Sequence, residues 1–402
     1  MEISTAGFDE ARLERITDHL VGRYVEPGKI AGCQALVARH GQVAYSRSLG
    51  CADLERAAPV RDDTIWRVYS MTKPITSVAL MTLYERALFQ LSDPVHRFLP
   101  EWRDLKVCEV AAGAAGRLVA ADRPVTVRDL LTHTSGLTYG FDPQHPVDRL
   151  YTEAGLRERG IALDEFTRRL AAMPLKFHPG TRWHYSLATD VCGHLIEVIS
   201  GRPFDQYLRE VIFDPLGMVD TGFVVPAGAG DRFAANYTRG PDKKLQLLDD
   251  PKESLYLEPP PMPSGGGGLV STMADYWRFT EMLRRGGELD NERVLGERTL
   301  RFMARNHLPG GASLTDIALG TFGETGLAGT GFGLGFAVSL DPVESQTVGS
   351  PGEFYWGGAA STIFWVDPVE DLVVIFMTQL MPSGTFNFRG QLKQLVHQAL
   401  IN

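Results

Sequence analysis

Two stretches at opposite ends of the chain restrict the fold more than anything between them. AGCQALVARHGQVAYSRSLGCAD, near the start, reads as two strands about an Arg-His-Gly turn. Val37, Val43 and Tyr45 lie in β-favouring runs there, and Gly41 supplies the turn. STIFWVDPVEDLVVIFMTQ, near the end, gives two β-branched and aromatic runs around Asp367-Pro368, and QLKQLVHQALIN closes as a helix. The middle has a helical period instead. VTVRDLLTHTSGL, DEFTRRLAAMPL, SLATDVCGHLIEVIS and FDQYLREVIFDPLGM carry apolar residues three and four apart. Strands at both ends with helices between predict an α+β fold: one antiparallel sheet built from both termini, with flanking helices and an inserted, mostly helical lobe. The expected division is a discontinuous sheet domain, 1–81 with 230–402, and a helical domain, 82–229, with the active site in the cleft between them.

At 402 residues and 44% hydrophobic content the chain has material for a large core. A net charge of −9 with dispersed Lys and Arg argues against a nucleic-acid partner, which would need a basic footprint. No run approaches the roughly 18 apolar residues of a membrane span. MEISTAGFDEARLERITDHL has acidic residues and no apolar core, unlike a signal peptide. Cys33, Cys51, Cys108 and Cys192 form no C-x-x-C pair, against both zinc and a disulfide framework. These features predict a soluble cytoplasmic protein without a metal or other cofactor, and they leave its oligomeric state open.

YSMTKPITSVALMTLYERALF, from Tyr69, places a serine three residues before a lysine. As a structural feature, Ser70 would only cap a helix and Lys73 would point to solvent. The chemical reading rests on three details. Pro74 lacks an N–H and is tolerated only in a first helical turn, so a helix must begin very near Ser70. The hydroxyl then meets free N–H groups and the positive end of the helix dipole, which stabilise an oxyanion. Residues three apart share a face, so Lys73 reaches the Ser70 oxygen, and burial would favour its neutral, basic form. Pro74 also disfavours helical geometry at Lys73, a mild conflict. Ser70 is the only serine in the chain with a lysine three positions on.

No G-x-S-x-G elbow occurs, whereas a Ser-His-Asp triad drawing on His133, His178, His184 or His194 stays open by order alone. H-E-x-x-H and comparable metal-ligand spacings are absent.

SMTK, LLTHTSGL, HYSLATDVCGHLIEVISG, DPLGMVDTGF and YWGGAAST occur in that order. Together they resemble the serine β-lactamase and penicillin-binding-protein superfamily, and within it the class C-like carboxylesterases of esterase family VIII and their acyltransferase relatives. The resemblance spans about Val25 to the C-terminus and implies Ser70 as acylated nucleophile and Lys73 as its partner. It also implies Tyr185 in proton transfer, with the Ser70 and Ala359 backbone N–H groups as oxyanion hole. Gly357 and Gly358 would let a strand edge approach the substrate; a β-bulge is the structural alternative. Class C lactamases are similar but carry lysine where Trp356 stands and asparagine where Leu187 stands. The exchange leaves apolar and aromatic pocket area suited to acyl chains or uncharged alcohols. Tyr139 would add an aromatic wall. The implied activity is a serine carboxylesterase on small-molecule esters of short to medium acyl chains. The alternatives are a β-lactam or D-Ala-D-Ala hydrolase, an acyltransferase to an alcohol, and a catalytically silent binding protein.

Overall fold

The computed structural model describes residues 6–110, 116–156, 160–320 and 326–401. Eight strands form one antiparallel sheet. Three come from the N-terminal part, β1 (Gly32–Arg39), β2 (Gln42–Asp53) and β3 (Ala58–Pro59). Five come from the C-terminal part, β4 (Thr330–Phe332), β5 (Ala337–Ser339), β6 (Phe354–Gly357), β7 (Ile363–Asp367) and β8 (Leu372–Thr378). Their order is β4-β5-β6-β7-β8-β1-β2-β3, so the two ends of the chain meet where β8 pairs with β1, Cys33 opposite Thr378. The β1–β2 turn is two residues, His40 and Gly41, both at positive φ (53° and 75°), the geometry that matches strand twist in a tight hairpin.

All seven residues of β8 are buried. Cross-strand register explains why. Phe364 lies opposite Ile375 and Ile363 opposite Phe376, so the two phenylalanines point to opposite faces. Four longer helices serve the argument: α1 (Thr72–Glu85), α2 (Ala188–Ser200), α3 (Met273–Arg284) and α4 (Phe388–His397). Tyr276 of α3 packs on Phe364 with centroids 5.4 Å apart, and Phe388 of α4 on Phe376 at 4.9 Å. Helices on both faces require an apolar strand with no solvent side, which the run LVVIFM provides.

Between the two blocks the chain is largely helical, though less continuously than its period suggests. VTVRDLLTHTSGL is helical only over Val127–Leu131; Thr126 and Asp129 form a capping box, and His133 at φ 55° turns the chain out. FDQYLREVIFDPLGM is helical throughout but breaks at Gly217, in the left-handed region at φ 62°. The closing helix begins earlier than its apolar period suggested, at Phe388, because Asn387 caps it by accepting from the Gly390 N–H at 2.9 Å. All four cysteines are free thiols, and burial pushes the Cys33 thiol up to about 12. No helix among the described residues is long and apolar enough to cross a membrane.

Truncating Phe364, which is fully buried under α3, removes contacts on which one face of the sheet is built. Phe364→Ala is expected to cost about 3–5 kcal/mol, read as a lower midpoint in urea unfolding at unchanged slope.

Candidate active site

Ser70 lies at a junction of three segments. A short strand, Ile65–Arg67, pairs antiparallel with Val270–Thr272 and delivers the chain to a 3₁₀ turn, Tyr69–Met71, that runs into α1. Pro74 is the third residue of α1, where its missing N–H has no intrahelical role, so the helix tolerates it. Tyr69 has φ 42°, which for a tyrosine costs on the order of 1–3 kcal/mol. Its hydroxyl accepts from Asn236 Nδ2 at 3.0 Å, and the preceding Val68 N–H bonds the Leu269 carbonyl at 3.1 Å. Arg67, fully buried, fixes the strand by donating to Asp249 (2.8 Å), Ser254 (3.1 Å) and the Ala234 carbonyl (2.5 Å).

Lys73 is 1% exposed and its amino group meets three oxygens: Ser70 Oγ at 3.2 Å, Tyr139 Oη at 2.9 Å and the Gly266 carbonyl at 2.5 Å. It also lies 4.6 Å from the centroid of the Tyr185 ring. The two tyrosines reach it differently. Tyr139 offers its hydroxyl, and Tyr185 presents its ring face. Sequence reasoning gave Tyr139 only a wall; its place two residues beyond HTSGL was the available signal.

Tyr185 stands in the loop before α2, wedged among rings. His133 and Tyr139 have centroids 5.1 Å away and Trp356 5.4 Å. Its segment is tied to the HTSGL turn: the His184 N–H donates to the His133 carbonyl at 2.9 Å, and Ser186 Oγ lies 3.1 Å from His133 Nδ1. Below Tyr139, Thr138 donates to Asp148 at 2.7 Å and Lys176 pairs with the same carboxylate at 2.6 Å. These buried, satisfied groups hold both tyrosines without mobile side chains.

A cleft of about 610 Å³ opens over Ser70. Tyr139, Phe141, Leu156, Phe166, Tyr185 and Leu187 line it from one side of the sequence, and Tyr69, Tyr256, Met262, Ala359 and Met381 from the other. Ala359 follows the Gly357-Gly358 pair and shares the cleft with Ser70. The histidines are elsewhere. His133 is buried among rings, and burial first, then the charge of Lys73, holds its pKa well below the usual imidazole range. His184 bonds Thr138 and the Leu319 carbonyl, His178 faces Glu109 and Asp122, and His194 pairs with Glu197. Among the described residues none of the four lines the cleft over Ser70.

The β-lactamase profile matches residues 17–398. The chain belongs to the β-lactamase family. Esterase EstB of Burkholderia gladioli is 34% identical over 393 residues, covering 94% of this chain and 93% of the esterase. Acyltransferase calJ of Penicillium decumbens is 30% identical over 361 residues, 86% of this chain and 82% of its own. Among solved structures, EstCE1, a hydrolase with promiscuous acyltransferase activity, superposes with a TM-score of 0.81 at 27% identity, covering 96% of this chain and 99% of that one. The fold is therefore that of β-lactamases and their esterase and acyltransferase relatives, an α+β sheet with helices.

Three pocket residues expected from the sequence lie differently. Trp356 is fully buried and does not line the cleft; it packs beneath Tyr185 and edge-on to Phe332, 5.3 Å away. Gly357 and Gly358 line a neighbouring cavity of about 410 Å³ instead. At Gly358 the lack of a side chain has a structural use: a Cβ there would stand 2.5 Å from the Val68 carbonyl oxygen. β6 is thereby pressed against the turn that carries Ser70. Leu187, 4% exposed, and Tyr139 do line the cleft.

Because Trp356 fills space under Tyr185, putting the lactamase lysine there buries an unpaired charge. Trp356→Lys is expected to lose about 3–5 kcal/mol of stability and to gain no cephalosporin turnover. Calorimetry and a chromogenic cephalosporin assay check the two parts.

Proposed function

We propose that the protein is a serine carboxylesterase working through a Ser70 acyl-enzyme on small-molecule esters of short to medium acyl chains. The observation that carries this reading is the Lys73 amino group 3.2 Å from Ser70 Oγ, at the base of a cleft lined chiefly by aromatic and aliphatic side chains. A relative named as an esterase at 34% identity supports it. Lining residues drawn from both 82–229 and the flanking ranges support the division into a helical and a sheet domain. Four unpaired thiols support a reducing, cytoplasmic setting.

In this mechanism Ser70 Oγ attacks the ester carbonyl carbon while its proton passes to the Lys73/Tyr185 pair. The carbonyl π electrons move to oxygen, and the oxyanion is held by the N–H groups of Ser70 and Ala359. The C–O bond to the alcohol then breaks and the alcohol leaves with the proton. Water attacks the acyl-enzyme by the same steps in reverse, freeing the acid and Ser70. Lys73 bonded to three oxygens and facing a phenol ring is part of one coupled system, so the pH profile belongs to the group rather than to one residue. Tyr139, bonded to Lys73, belongs to the same system.

Transfer to an alcohol in place of water is the second reading. Acyltransferase calJ, at 30% identity, favours it. Hydrolysis of β-lactams is the weaker option, since Leu187 offers no amide to a polar substrate.

Hydrolysis of p-nitrophenyl esters of increasing chain length, beside a chromogenic cephalosporin, is expected to show strong ester and little cephalosporin turnover. Ser70→Ala should lower kcat on the order of 10³-fold or more. Tyr185→Phe keeps the ring stack but removes the hydroxyl, and is expected to lower kcat by about 10²–10⁴. A phosphonate ester that labels any residue other than Ser70 sinks the proposal. A new ester formed on adding an alcohol would assign the acceptor.

A further inference from the structure

The glycine run SGGGG, Ser264–Gly268, has no side chains beyond its first residue, so past Ser264 only its backbone can hold it. It is nevertheless strapped on two sides. From α1, Lys73 donates to the Gly266 carbonyl at 2.5 Å, Thr76 to the Gly265 carbonyl at 2.9 Å, and Thr72 Oγ1 accepts from the Leu269 N–H at 3.1 Å. From α2, a single residue does the work. Asp190, 2% exposed, accepts on one oxygen from Ser264 Oγ at 2.5 Å and from the Gly266 N–H at 3.0 Å.

Asp190 lies in the first turn of α2, where an acidic residue ordinarily serves its own helix. Here its carboxylate is turned away to another segment, and that segment has made room for it. A Cβ on Gly266 would stand 2.5 Å from Asp190 Oδ2, and one on Gly265 would stand 2.7 Å from the Thr189 carbonyl. Two adjacent glycines therefore allow α2 to come within hydrogen-bonding distance of the loop. The residue so gripped, Gly266, is the one whose carbonyl accepts a hydrogen bond from Lys73.

We infer that Asp190 is a positioning residue for the Ser70–Lys73 pair: it clamps Gly266 so that the Gly266 carbonyl fixes the Lys73 amino group against Ser70. The inference rests on the Ser70 acyl-enzyme reading above. Asp190 acts on Lys73 through the backbone of Gly266, whose N–H it holds and whose carbonyl Lys73 bonds. Charge and geometry separate cleanly. An asparagine keeps an oxygen for both donors but loses the negative charge, and an alanine loses both. The titratable side chains near Lys73 include Tyr139, Tyr185 and His133. Removing a negative charge and a carbonyl contact that both favour the ammonium lowers the proton affinity of that group, so the acidic limb of the kcat profile moves to lower pH.

Wild type, Asp190→Asn, Asp190→Ala and Asp190→Ala/Ser264→Ala would be compared on one p-nitrophenyl ester. Each kcat is divided by the number of sites titrated with the phosphonate, which removes any unfolded fraction. Asp190→Ala is expected to lower kcat about 10²-fold with KM within about threefold. Asp190→Asn should lose about fivefold, with the acidic limb displaced to lower pH in both. Adding Ser264→Ala to Asp190→Ala should cost nothing further, as for two ends of one contact. A normalised kcat for Asp190→Ala within twofold of wild type overturns the inference, and so does an acidic limb that stays in place. Should the alanine variant fail to fold, the limb in Asp190→Asn decides in the same sense. A wild type that the phosphonate does not label at Ser70 is a different result, and it removes the acyl-enzyme reading itself.

Discussion

The site is organised by the need to accommodate one buried amino group. Lys73 has almost no contact with water, and an amine in that position needs oxygen acceptors or costs several kcal/mol. It finds them on three pieces of chain far apart in sequence: the turn before α1, the loop after HTSGL and the glycine run. Each must reach within about 3 Å of a single nitrogen. Ser70 Oγ is one of the three, so satisfying the lysine and aligning the serine are the same physical event.

That convergence has a backbone cost, and the sequence meets it with glycine where it can. Gly358 lets the end of β6 rest on Val68, while Gly265 and Gly266 let the loop rest on α2. Tyr69 receives no such relief. It holds a left-handed conformation directly before Ser70, kept there by Asn236 on its hydroxyl and by the Val68–Leu269 contact behind it. Over-determination of this kind is how folded proteins maintain a strained residue. The sheet supplies the rigidity: β8 is covered on both faces, and α3, which covers one of them, also donates from Tyr276 to the Met71 carbonyl at 2.9 Å.

The aromatic residues divide their roles by depth. Trp356 and Trp183 lie fully buried behind Tyr185 and fix its ring, whereas Tyr139 stacks on Phe141 at the mouth with centroids 5.0 Å apart. Phe141 is 59% exposed, so the outer wall of the cleft is an apolar surface open to solvent. A cleft with a polar base and apolar walls is matched to a neutral ester, whose carbonyl oxygen develops charge only at that base.

Much of this was legible in the sequence because it is local. The hairpins rest on strand runs and a two-residue turn, the start of α1 on Pro74, and the Ser70–Lys73 pairing on helical spacing; each depends on residues within a few positions of one another. Tyr185 and Ala359 became candidates only through a resemblance, since nothing local separates them from other loop residues. Which phenol offers oxygen to Lys73 and which offers a ring face, whether Trp356 is wall or foundation, and why four glycines adjoin one another were decided by tertiary structure. Those outcomes depend on ångström-scale approaches between segments 66 to 193 residues apart, such as Lys73 to Tyr139 and Lys73 to Gly266. Periodicity and composition describe which faces are apolar; they carry no information on how closely two distant backbones pack once those faces meet.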